Sequence, residues 1–142
     1  MFDSKEEIGN NVTISWSVDK SSVLITLPES SRNSVDIYIN TNLEILQNWD
    51  VNKPIYMIQN VSSGQVQSTP YLKGRLEEIN NVVKTRKINA YVALIIRDDF
   101  VGHIMRTFGR LFASNVRTLD QRFFTDQQQA EEWVAKQQAN AQ

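Results

Sequence analysis

The sequence predicts an α/β fold: a β-hairpin followed by three β-α units, forming a mainly parallel five-stranded sheet with four helices on both faces. Three observations carry that prediction. Apolar β-branched runs alternate with stretches of helical periodicity, and turn-forming clusters separate them. Two of the runs, PIYMIQNV (54–61) and INAYVALII (88–96), are almost continuously apolar, as strands covered on both faces are. A length of 142 residues, 41% hydrophobic and 22% charged, suits one domain with a single core.

VTISWSV (12–18) mixes β-branched residues with Trp16, and DKSS separates it from VLITL (23–27), which together read as a hairpin. After Pro28, the apolar positions Val35, Ile39, Leu43 and Leu46 recur at helical spacing, with Tyr38, Ile45 and Trp49 widening the stripe. A cap falls at Ser30 or Ser31. Val35, Ile37 and Ile39 also fit strand alternation, so the start of this helix is open between the two patterns. The strand 54–61 leads through SSGQVQS to Thr69-Pro70, an N-cap and first-turn proline, and Leu72, Leu76, Ile79 and Val83 then define a helix over 70–86.

INAYVALIIRDD (88–99) is the next strand. Val101, Ile104, Met105, Phe108, Leu111 and Phe112 follow with helical period, and VRTLDQRFF (116–124) is the last strand. Thr125 and Gln128 have the spacing of a capping box for a glutamine-rich helix on which Ala130, Trp133 and Val134 share a face. Because that helix carries little apolar surface, Trp133 is expected to supply most of its docking energy. Residues 1–10 and 137–142 are expected to fray.

The chain has no cysteine, which removes disulfides, thiolate metal sites and cysteine nucleophiles. No run is long enough to span a bilayer, and the acidic start MFDSKEEIGN lacks the pattern of a signal peptide, so a soluble cytoplasmic protein is expected. Charge is uneven: residues 84–122 hold eight Lys or Arg against three Asp, whereas the flanking segments are net acidic. Such a basic segment is either a solvated surface or the mark of an anionic partner.

Catalytic constellations are missing from the pattern. The sole histidine, His103, excludes any site needing two, no glycine loop cradles a phosphate, and no motif joins Ser63, Asp98 and His103 into a hydrolase. No metal site and no cofactor is expected. Asp98-Asp99 stand at a strand end where open α/β sheets bind ligands, and equally suit the cap of the helix that follows.

PIYMIQNVSS, STPYLKGRLEEINNVV and RFFTDQQQAEEWV together resemble the central strand, following helix and terminal strand-helix of the bacterial STAS-like family, small α/β proteins related to anti-sigma-factor antagonists. The resemblance implies a non-enzymatic regulatory or protein-interaction domain. It also implies a serine switch after the central strand, where Ser62 and Ser63 stand. Val61 replaces the aspartate usual before that serine, and QVQST intervenes before the helix, so Ser68 and Thr69 are equal candidates. Expected partners are another protein or a second copy through Phe100, Ile104, Phe108 and Leu111, with no nucleic acid. The alternative is a binding domain for a small anionic or lipidic ligand at the C-terminal strand ends, near Tyr71, Arg97, Asp98, Arg106 and Arg110.

Overall fold

In a computed structural model, which describes residues 1–98 and 117–141, the chain is an α/β protein built on one six-stranded mixed sheet. The strands are β1 (Glu6–Gly9), β2 (Val12–Trp16), β3 (Ser22–Thr26), β4 (Ile55–Asn60), β5 (Ala90–Ile95) and β6 (Leu119–Phe124). Their spatial order is their chain order. β1–β2 and β2–β3 are antiparallel, and the three remaining pairings are parallel. The helices are α1 (Arg32–Asn48), α2 (Pro70–Arg86) and α3 (Gln127–Asn140). The helix expected from Phe100 to Phe112 lies outside the described residues.

The sheet therefore has six strands rather than five. EEIG hides its strand character because it is short, acidic and at the sheet edge, where charge is compatible with an unpaired side. A two-residue turn closes it onto β2: Asn10 (φ 46°) and Asn11 (φ 63°) both take the left-handed region that such a turn needs, as asparagine does readily. Gly9 is required on two counts. Its φ is 130°, and a Cβ there would stand 2.9 Å from Ile37 Cδ1. Residues 1–10 and 137–142, expected as loose ends, thus include β1 and the last turn of α3.

α1 resolves the ambiguity of SVDIYI in favour of a helix starting at Arg32, capped by Ser31, whose hydroxyl accepts from the Ser34 N–H at 3.3 Å. α2 runs over the expected residues: Thr69 accepts from the Leu72 N–H at 3.1 Å, and Pro70 opens the first turn. For α3 the expected Thr125–Gln128 box is replaced by Asp126, whose carboxylate accepts from the Gln128 N–H at 2.6 Å. The charged acceptor favours the cap one residue later, because an anion is stabilised at a helix N-terminus.

Alternation along the strands sends two apolar rows to opposite faces. Val23, Ile25, Met57, Val92 and Leu94 join α1 and α2 in one core, whereas Leu24, Tyr56, Ile58, Ala93 and Ile95 meet α3. Helices on both faces are thus observed. Inside the first core Tyr38 donates to Gln59 Oε1 (2.6 Å), Gln59 Nε2 donates to Asn42 Oδ1 (2.8 Å), and Asn42 Nδ2 donates to the Tyr38 carbonyl (3.0 Å). This closed loop of bonds satisfies polar groups that burial would otherwise penalise, and the same burial raises the pKa of the Tyr38 phenol. On the other face Ala130 and Val134 are wholly buried. Trp133 is only partly so, tilted against Phe124 (6.0 Å) and Tyr91 (6.5 Å), so it shares the docking of α3 rather than carrying most of it.

Candidate functional site

At the C-terminal ends of the parallel strands, the loop after β4 shapes itself with its own side chains. Asn60 Oδ1 accepts from the Ser62 N–H (3.0 Å) and hydroxyl (2.6 Å), and Ser63 Oγ accepts from the Gln65 N–H (3.2 Å). Val66 anchors the loop in the core at 1% exposure. Its outer strand is tied to the segment before α1: the Ser30 N–H and hydroxyl donate to the Gln65 carbonyl, and Ser30 Oγ accepts from the Gln67 N–H at 3.0 Å. Glu29, beside this seam, accepts from the Ser31 and Ser34 hydroxyls, which hold its carboxyl below the usual range.

The sequence-predicted residues divide among neighbours here. Ser62 and Ser63 are partly exposed on the loop, Ser68 precedes the helix cap, and Thr69 is committed to capping α2. Arg97 Nη1 stands 3.1 Å from where a Cβ on Gly64 would lie, so its guanidinium abuts the serine loop. Asp98 is exposed. Tyr71 is engaged elsewhere: its hydroxyl bonds Asp36, Arg32 lies 4.3 Å above its ring, and Arg75 pairs with Asp36 at 3.5 Å. Tyr71 therefore joins α2 to α1. Arg106, Arg110, His103, Phe100, Ile104, Phe108 and Leu111 lie outside the described residues.

The opposite end of the sheet holds a feature that the sequence did not disclose. Between the β2–β3 turn and the α1–β4 loop opens a pocket of about 430 Å³, lined by Asp19, Lys20, Ser21, Trp49, Asp50, Lys53, Pro54 and Tyr56. Both segments are well fixed. Asp19 Oδ1 accepts from Ser21 Oγ (2.7 Å), Ser17 Oγ (2.8 Å) and the Ser21 N–H (3.1 Å), which lowers the pKa of its carboxyl. Trp49 donates its indole N–H to the Lys53 carbonyl at 3.0 Å and stacks on Trp16, with centroids 6.4 Å apart. Gln138 of α3 donates to Ser21 (2.9 Å) and Ser22 (2.7 Å), latching the turn from the far face. DKSS and NWDVNKP show only as punctuation in the sequence; a lysine in each of the two connections, with Trp49 and Pro54 in the second, was the available signal.

Among the described residues no group of acidic or imidazole side chains is arranged to hold a metal ion, and no helix is long and apolar enough to cross a membrane. No protein-family model matches the chain, and neither a curated protein nor a solved structure matches it at a significant level.

Proposed function

We propose that the chain is a non-enzymatic regulatory or protein-interaction domain of the STAS-like kind, with loop 62–69 as its switch surface. The observation that supports this reading is the seam between the loop and Ser30. Ser62 and Ser63 sit on a partly exposed loop whose register depends on a few hydrogen bonds, with the Arg97 guanidinium against Gly64. A phosphoryl group on either serine adds negative charge beside that cation and changes both the seam and the surface presented to a partner. Self-association through Phe100, Ile104, Phe108 and Leu111 belongs to the same reading.

Native mass spectrometry of protein purified from its source tests it. Phosphate mapped to Ser62, Ser63, Ser68 or Thr69, together with a bound protein or a dimer, is the expected result. The double substitution of Ser62 and Ser63 by Asp should keep the fold and release the bound chain. An unmodified monomer without a partner, or a double variant that unfolds, sinks the proposal.

A further inference from the structure

We infer that the pocket between the β2–β3 turn and the α1–β4 loop binds a small planar aromatic anion, such as an aromatic carboxylate. Its volume of about 430 Å³ falls in the range of small-molecule sites, and Trp49, Pro54 and Tyr56 give it flat apolar walls. Those walls are held before any ligand arrives: Trp49 by Trp16 and the Lys53 carbonyl, and Tyr56 by its stack on Tyr91 at 5.1 Å. Preformed aromatic surface favours a flat ring, because little ordering is left for binding to impose.

The formal charges of Asp19, Asp50, Lys20 and Lys53 on the pocket cancel, so the charge preference follows from which of these groups keep their bonding positions free. Asp19 is engaged by three donors from Ser17 and Ser21, and Asp50 Oδ1 accepts from the Asn52 N–H at 3.0 Å. Among the described residues no ion pair or hydrogen bond takes the side-chain ammonium of Lys20 or Lys53, although both residues line the pocket. Lys20 is also held in the left-handed region at φ 60°, a strained conformation for a residue with a Cβ. Around the same two segments, Val18 (81%) and Val51 (39%) are left exposed, two of the few large apolar side chains so placed among the described residues. Apolar walls with a rim of uncommitted ammonium groups complement an aromatic body bearing one negative charge.

Titration of the ¹⁵N-labelled chain with 2-naphthoate, its neutral analogue 2-naphthalenemethanol and the cation 2-naphthylmethylammonium tests the site and its charge preference. The Trp49 indole N–H resonance should move saturably with naphthoate at a Kd below about 1 mM, while that of Trp133, on α3, stays nearly fixed. Both analogues should bind more weakly. Lys20→Gln and Lys53→Gln, at exposed positions, should each weaken naphthoate about three- to fivefold, the scale of one solvent-exposed ion pair. The inference is overturned by absence of a saturable Trp49 shift, by either analogue binding as well as naphthoate, or by unchanged affinity in both lysine variants. The ligand comparison on the unmutated chain stands whether or not the variants fold.

Discussion

Toward α1 and α2 the sheet turns Val23, Ile25, Met57, Val92 and Leu94, and two long helices bury them under Val35, Ile39, Leu46, Leu72, Leu76, Ile79 and Val83. Toward α3 it turns Leu24, Tyr56, Ile58, Ala93 and Ile95, and that helix answers with two small residues, Ala130 and Val134, plus partly buried Trp133. The first face is stabilised by aliphatic volume and a closed polar loop. The second relies on aromatic contacts, Tyr56 stacked on Tyr91, with Tyr91 and Phe124 tilted against Trp133. Among the described residues, the two faces of one sheet are thus stabilised by different means.

Four measurements can break or sharpen that comparison. Leu76→Ala, at a position with no exposure, should cost about 2–5 kcal/mol in chemical denaturation, the largest effect of the set. Trp133→Ala should cost about 2 kcal/mol, less than the roughly 3–5 kcal/mol of a fully buried large aromatic, because part of the ring stays in water. If Trp133→Ala proves the more damaging, the weight assigned to the two faces is reversed.

Tyr38→Phe should cost about 1–3 kcal/mol by leaving Gln59 Oε1 without its donor. The phenol also gives a pH signature. Because its folded pKa is raised above the ordinary 10.0, its contribution to stability is complete below pH 10 and is lost as pH rises toward the folded value. Alkaline destabilisation that survives in Tyr38→Phe would place its cause elsewhere. The smallest effect belongs to the carboxylates. Asp19 has a folded pKa below its usual 3.8, so its contribution is present above that pH and fades as pH falls through the lower folded value. Titration followed by carboxyl NMR should find Asp19 ionising below exposed aspartates, and Asp19→Asn should flatten the acid limb of the stability profile.

Much of this architecture was legible because periodicity and capping agreed. Leu72, Leu76, Ile79 and Val83 after Thr69-Pro70 left α2 no other reading, and continuous apolar runs marked β4 and β5. β1 was not legible, since its pairing comes from two left-handed asparagines and a glycine under Ile37 rather than from apolar alternation. Asp126 displaced the expected cap because carboxylate position depends on backbone angles that spacing does not encode. The candidate sites divide similarly. Loop 62–69 was visible as serines after a strand, whereas the pocket joins residues 19–21 to residues 49–56, a meeting that only the β3–β4 pairing produces.

Strands that lie in space in the order they are synthesised can pair as they appear, each new one meeting a neighbour already in place. Such sequential pairing shortens the loops closed at each step and favours fast assembly. α3 is the exception: it emerges after every strand and reaches back across the sheet, its Gln138 meeting Ser21 and Ser22 more than a hundred residues earlier. Until it docks, Leu24, Tyr56, Ile58, Ala93 and Ile95 lack the cover of Ala130, Trp133 and Val134. A nascent chain lacking α3 is therefore the species most open to chaperone capture or aggregation, and a pulse-labelling experiment during refolding should find the amides of α3 the last to be protected.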